Sequence, residues 1–150
     1  SMLAREIEPE VLPWCGQKGT GVLVYSPMHS GLLTGKVSRQ WLDDLPDNDW
    51  RKHKKDHPVV SPLQSEAGME AFLGFQEGLR SIALASGRTI GQLAVAWALR
   101  REEVTSAIVG ARRPGQIMET VRAAEKELTE EEAAAVAKCL NQFEERMTSV

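Results

Sequence analysis

The sequence predicts an α/β fold built on parallel strands, and three observations carry that expectation. Two short, nearly continuous apolar runs, Gly21-Val22-Leu23-Val24-Tyr25-Ser26-Pro27 and Val104 to Val109, have strand length and β-branched content. Runs of this kind read as strands buried on both faces, as in parallel sheets. Each is flanked by stretches of helical periodicity, and helix alternating with strand marks an α/β chain. The order along the chain is helix, strand, long loop, two helices, strand, helix, helix. Two strands are too few for a stable parallel sheet, so the core is expected to be incomplete unless other strands are supplied.

The first helix is expected over residues 5–18, where Ile7, Val11, Leu12, Trp14 and Cys15 cluster at spacings of three and four. Pro9 fits its first turn and Gly19 its stop, while Pro13 predicts a kink or an early end. The first strand follows and closes at Pro27. Residues 31–65 are the least regular stretch, a long loop with Lys36, Trp41, Pro46, Trp50, Pro58, Pro62 and the charged run Arg51-Lys52-His53-Lys54-Lys55-Asp56-His57. Long structureless insertions are functional loops or disordered. The charged run reads as a solvated loop, with phosphate contact by one of its cations as the alternative. Its acidic flanks and the lack of an aromatic stacking pattern argue against nucleic acid.

Helical spacing returns over residues 66–86 with Met69, Phe72, Phe75, Leu79, Ile82 and Ala83. Gly68, Gly74 and Gly78 weaken that helix, and close packing against a neighbour would explain them. Gly87 ends it. Thr89-Ile90-Gly91-Gln92 has capping-box spacing, and Leu93, Ala94, Trp97 and Ala98 form one face of the next helix. After the second strand, Gly110-Ala111-Arg112-Arg113-Pro114 turns into a helix with Pro114 at its first position and Ile117, Val121 and Ala124 buried. A further capping box starts at Thr129, and Ala133, Val136, Leu140, Phe143 and Met147 form the core stripe of the last helix.

Composition narrows the function classes. The chain has 150 residues, 42% hydrophobic and 26% charged, about one globular domain. A net charge of −3 gives no reason to expect nucleic acid or an anionic membrane as partner. No apolar run reaches the roughly 18 residues of a spanning helix, and Ser1 to Glu6 has no apolar signal region. Cys15 and Cys139 lack metal-type spacing and read as reduced thiols, from which a cytoplasmic location is expected.

Active sites on α/β barrels gather at the C-terminal ends of the strands, and two such ends carry suitable groups. The first, Tyr25 to Lys36, offers an aromatic face, the Ser26 and Ser30 hydroxyls, flexible glycines and a cation. Those groups suit an aromatic ring joined to a pyrophosphate, although a buried tyrosine before a turn has the same pattern. The second, Gly110 to Thr120, runs from a strand into a helix N-terminus whose free N–H groups favour an anion. Arg112 and Arg113 add bidentate donors, and Gln116, Glu119 and Thr120 share one helix face. A pair of solvated arginines is the alternative.

Together these segments resemble the aldo-keto reductase superfamily. Gly21 to Met28 with Gly31-Leu32-Leu33-Thr34-Gly35-Lys36 is similar to the family's seventh barrel strand and its loop. Ser106 to Pro114 with Gln116 and Glu119 is similar to the eighth, and Gln92-Leu93-Ala94-Val95-Ala96-Trp97 to the helix between them. The resemblance implies a partial (β/α)8 TIM barrel, its C-terminal segment, with about two parallel strands and five helices. It also implies an incomplete single domain over 1–150. The cofactor implied is NADP(H). Tyr25 matches the residue stacked on the nicotinamide, and Ser26, Pro27, Met28, Ser30 and Gly31 the pyrophosphate turn, with Leu32 beside it. Lys36 matches a lysine that reaches the cofactor. Gly110 and Arg112 sit where the 2′-phosphate is held, and Gln116, Glu119 and Thr120 where the adenine end lies. Relatives often carry Asn at the position of Thr120.

Family catalysis uses an Asp, Tyr, Lys and His from earlier strands, the Tyr protonating the carbonyl oxygen. This chain has one tyrosine, which the motif commits to strand seven, and His29, His53 and His57 lie in the wrong segment. The implied function is therefore part of an NADP(H)-dependent reductase of aldehydes and ketones, inactive alone, with a small carbonyl substrate taken by the complete protein. A non-enzymatic NADP(H)-binding regulatory module, or a truncated structural paralogue, is the alternative. Exposed strand faces and edges predict self-association or pairing with the missing barrel half.

Overall fold

A computed structural model describes residues 1–53 and 57–149. Lys54, Lys55 and Asp56 of the charged run lie outside the described residues. Two parallel strands, β1 (Val22–Tyr25) and β2 (Val104–Ile108), pair side by side. Helix α1 (Val11–Gln17) precedes β1, and α2 (Arg39–Asp43) and α3 (Trp50–His53) fall within the long segment after it. Helices α4 (Glu66–Ala85) and α5 (Ile90–Leu99) lead to β2, followed by α6 (Gln116–Val121) and α7 (Glu130–Thr148). Strand, helices, parallel strand, helices is the arrangement expected of a barrel segment.

The sheet departs from the expectation of strands buried on both faces. The ladder pairs Val22 with Val104, Leu23 with Ser106, Val24 with Ala107 and Tyr25 with Ile108, so Thr105 is an extra residue. Val24 and Val104 look toward the helices, where they line a small cleft with Leu12 and Trp97. The opposite face is open: Leu23 is 62% exposed, Tyr25 78% and Ile108 56%. No described element covers it, so the apolar pattern of these strands has only one buried side. Gly21 fits beside the extra residue, because a Cβ there would lie 2.5 Å from the Thr105 hydroxyl.

The first helix is shorter than its periodicity implies. It starts at Val11 rather than in the region of residue 5, and residues 6–10 form turns. Pro9 thus precedes the helix and Pro13 occupies its first turn, where a missing N–H costs no helical bond. Leu12 and Cys15 are its buried residues. Gly19, at φ +63, stops it as expected.

The long segment is neither structureless nor peripheral. Leu32, Leu33, Val37, Leu42, Leu45, Val59, Val60 and Leu63 are buried in one core cluster with Phe72, Phe75, Leu79 and Leu140. Gln76, buried on α4, fixes this segment: its Nε2 donates to the Val37 carbonyl at 3.2 Å, and its Oε1 accepts from the Val37 N–H at 3.1 Å. Apolar burial on both sides of that contact adds to it in holding so irregular a sequence in place. Short 3₁₀ turns at His29–Thr34 and Pro62–Gln64 let the chain change direction often enough to cover α4.

Helix α4 packs along α7, with Phe75 stacked on Phe143 at 4.6 Å and Phe72 edge-on to both. The expected close approaches at its glycines are present. A Cβ on Gly68 would fall 2.0 Å from the Pro62 carbonyl oxygen, and one on Gly78 2.6 Å from Cys139 Sγ. Gly74 faces only the tip of Arg146, at 3.0 Å. Both capping boxes form, at Thr89 with Gln92 and at Thr129 with Glu132. Helix α6 begins at Gln116, with Gly115 at φ +87 as its cap rather than Pro114 in its first position. Ile117, Val121 and Ala124, expected to be buried, are exposed, and Ala123 takes the buried place.

Gly68→Ala should destabilise the chain by about 1–3 kcal/mol, because the new methyl meets backbone that cannot rotate away. Gly74→Ala should be neutral or stabilising by up to about 1 kcal/mol, from helix propensity. Urea unfolding followed by circular dichroism separates the two; equal losses would contradict this packing.

Candidate functional site

The chain leaves β1 through a run of left-handed backbone. Ser26, His29 and Ser30 have φ of +50, +46 and +54, and Gly31 follows at +94. Non-glycine residues rarely adopt this region, and clusters of them concentrate at functional sites. The turn is closed by the His29 N–H donating to the Ser26 carbonyl at 2.8 Å and by Gly31 and Leu33 N–H groups donating to Met28. Pro27 and Leu32 are buried beneath it, so they support the turn and offer no surface of their own.

A guanidinium fastens the turn from outside. Arg51 Nη1 donates to the Ser30 carbonyl at 2.8 Å, while Nε and Nη2 donate to the Asp49 carboxylate at 2.9 and 2.6 Å. The guanidinium also lies 5.1 Å from the Trp41 ring centre. The charged run was expected to be solvated, yet Arg51 is only 8% exposed. Its hydrogen bonds hold the Asp49 carboxyl down at about 2. Sequence reasoning missed this pair because Asp49 lies just outside the basic run that drew notice.

His29 sits in the same turn. Its Nδ1 is 3.0 Å from the Ser1 hydroxyl and its ring meets that of His57 edge-on at 5.5 Å. Burial, then the neighbouring His57, lower its pKa from 6.5 to about 4.

At the far side, β2 leads into Gly110 and a loop closed on itself. Gln116 Oε1 accepts from the Arg112 and Arg113 N–H groups at 2.7 and 2.9 Å. Those amides are therefore not free for an anion, contrary to the expectation for this helix start, and α6 spans only six residues. Gln92 Nε2 donates to the Glu119 carbonyl at 2.8 Å, tying α6 to the start of α5.

Between the two strand ends lies an open cavity of about 400 Å³. Six of the expected site residues line it: Met28 and Lys36 from the first segment, Gly110, Gln116, Glu119 and Thr120 from the second. Tyr25, Ser26, Ser30 and Gly31 lie outside its walls, with Tyr25 on the open sheet face. Arg112 is exposed and also outside. The rest of the lining includes Thr34, Arg80 from α4, and Arg88, Thr89 and Gln92 around the start of α5. These were not foreseen: the Thr89–Gln92 capping box was legible as a helix start, but no local pattern says that α4 ends against the loop. Arg88 is buried and donates to Glu132 and to the Lys126 and Glu127 carbonyls. No group of residues that would hold a metal occurs among the described residues, and no single helix there is long and apolar enough to cross a membrane.

Comparison with known proteins gives a consistent set of likenesses. A model described as the Aldo/keto reductase family matches residues 1–141. An L-glyceraldehyde 3-phosphate reductase of Escherichia coli O157:H7 is 36% identical over 105 residues, which is 70% of this chain and 29% of that protein. A putative voltage-gated potassium channel subunit beta of Schizosaccharomyces pombe is 36% identical over 118 residues, 79% of this chain and 33% of that protein. An NADH-specific methylglyoxal reductase of Escherichia coli K12 is 30% identical over 135 residues, 89% of this chain and 37% of that protein. The solved structure of a glycerol dehydrogenase from Gluconobacter oxydans superposes with a TM-score of 0.80 at 30% identity, covering 95% of this chain and 40% of that one. The chain thus spans about a third of the length of the curated relatives it matches.

Arg51→Ala removes one partner of a buried ion pair and should cost about 3 kcal/mol. The Ser30 carbonyl loses its donor, so amide exchange at Gly31 and Leu33 should quicken more than at α7; unchanged exchange there would refute the clamp. His29 gives a pH signature. Its folded pKa is depressed, so the neutral ring's contribution is present above 6.5 and lost as pH falls to about 4. His29→Asn keeps a residue tolerant of left-handed φ. Thermal unfolding between those pH values should fall less steeply in that variant than in the parent chain.

Proposed function

The chain belongs to the aldo/keto reductase family, and from that premise we propose that it forms the nucleotide-binding part of an NADP(H)-dependent reductase of aldehydes and ketones. The observation that carries the proposal is the convergence of the two strand-end segments on one cavity. Its volume falls within the usual range for small-molecule sites. The lining fits a phosphorylated adenosine: Lys36 and Arg80 offer cations, and Gln116, Glu119 and Thr120 offer polar groups for a base and a ribose. In this reading Tyr25 stacks on the nicotinamide from the open face of β1, and the Ser26 to Gly31 turn, braced by Arg51, holds the pyrophosphate. The dinucleotide, when bound, supplies hydride to a carbonyl carbon. The chain's own residues orient it and neutralise its phosphates.

We assign no proton donor to this chain. Tyr25 is its sole tyrosine and lies at the stacking position, so catalysis is assigned to a protein that adds the remaining barrel strands around one domain spanning 1–150. The open face of Leu23, Tyr25 and Ile108 supports pairing with such strands or with a second copy. Cys15 and Cys139 are free thiols, which supports a cytoplasmic setting. A binding module without turnover is the second reading, favoured by the likeness to proteins named as potassium channel beta subunits.

The test is NADPH binding and turnover by the 150-residue chain. A saturable change in NADPH fluorescence, with no NADPH consumption above blank across a panel of aldehydes, is the expected pair of results. Turnover would overturn the assignment of chemistry to residues elsewhere, and absent binding would overturn the site.

A further inference from the structure

The cavity contains cations that the sequence motif does not single out. Arg112 was the candidate for the ribose phosphate, yet it is exposed and does not line the cavity. Three other cations line the walls: Lys36, Arg80 and Arg88. Arg88 is 9% exposed, with both Nη atoms donating to Glu132 and two carbonyls, and serves as buried wall. Arg80 has capacity to spare. Its Nε pairs at 3.1 Å with Glu77, itself 70% exposed, and its Nη2 donates to the Gly35 carbonyl at 3.1 Å. An exposed pair of that kind is weak, and Arg80 Nη1 makes no hydrogen bond among the described residues. Lys36, the residue after Gly35, makes no ion pair among them either.

Gly35 brings the two together. It has φ +77, and a Cβ there would come within 2.8 Å of Ile90 and 3.7 Å of Arg80 Nη2. The loop therefore lies close on α4 and α5 at this point, and Lys36, the next residue, lines the same cavity as Arg80. The one carboxylate on the cavity wall, Glu119, belongs to α6 at the other segment. A phosphate dianion is repelled there and drawn to the Lys36–Arg80 edge, while a base with an exocyclic amino group suits Glu119. The comparisons leave nicotinamide cofactor choice open within the family, since one relative is named as NADH-specific.

We propose that Arg80, with Lys36, rather than Arg112, reads the phosphate on the adenosine ribose and so sets the preference for the phosphorylated dinucleotide. This rests on the nucleotide reading of the cavity given above. A guanidinium forms two-point hydrogen bonds with phosphate oxygens that a lone ammonium does not. Held against Gly35, it presents its free edge without ordering a flexible chain.

Titration calorimetry of the 150-residue chain with adenosine 2′,5′-bisphosphate and with AMP tests this without any turnover. The parent chain should prefer the bisphosphate by about tenfold or more. Arg80→Gln should bring that ratio toward one while leaving AMP binding nearly unchanged, and Arg80→Lys should keep part of it. Arg112→Gln should keep most of it. Thermal unfolding of each variant checks the fold, and Lys36→Gln, which removes an exposed side chain, gives a second partial loss should Arg80→Gln unfold. A preference abolished by Arg112→Gln and kept by Arg80→Gln overturns this inference alone, as does a parent chain that binds both ligands equally. Binding of neither ligand overturns the nucleotide site itself, and this inference with it.

Discussion

One buried amide holds the loop on which the candidate site depends. Gln76 presents an acceptor and a donor to the backbone of Val37 and is satisfied on both sides, as one residue of a strand ladder would be. Leaving either group unpaired in that position would cost about 1–3 kcal/mol. The pairing fixes where residues 35–38 cross α4, and hence where Lys36 stands relative to Arg80. The apolar residues on either side of it then find the core: Leu32 and Leu33 before, Leu42 and Leu45 after. A segment with almost no regular structure becomes a wall because one side chain on a regular helix gives its backbone a partner.

The same logic operates at the turn after β1, with charge in place of a neutral amide. Three non-glycine residues in left-handed φ within five positions are expensive, and such backbone persists only where its surroundings over-determine it. Pro27 and Leu32 of the turn are buried, and Arg51 holds the Ser30 carbonyl while paired with Asp49. Strain in the turn and desolvation of the ion pair are thus offset by one shared set of contacts. The second wall is built differently, from helix ends. Gln92 and Gln116 each close a local backbone motif, and Gln92 reaches across to α6 as well.

Much of this was legible in the sequence and the rest was not, for reasons that differ by element. Caps at Thr89 and Thr129, the stop at Gly19 and the stripe of α7 depend on residues a few positions apart, so local chemistry reveals them. The strand positions were legible, but their two-sided burial was not. An apolar run reports what a strand is built to contact, and this chain leaves Leu23, Tyr25 and Ile108 uncovered. In the site, the two strand ends announce themselves through glycine, serine and arginine patterns. Arg80 and Arg51 do not, because their roles arise from where a helix end and a loop happen to meet, at separations of 45 and 21 residues from their carbonyl partners. Arg112 shows the converse: a suggestive local pattern whose amide the fold uses for itself.

The extra residue at Thr105 has a meaning best put in terms of phase. A strand is a two-state signal along its length, each residue facing one side or the other, and a single inserted residue reverses every later reading. With Thr105 out of the ladder, Val104 and Ala107 both look toward the helices, and Ser106 and Ile108 share the open side with Leu23 and Tyr25. Gly21, lacking a side chain, is what allows the reversal beside it. The faces presented at the C-terminal end of β2, and with them the heading of the chain into Gly110, are therefore written several residues upstream, at a position that touches nothing in the cavity.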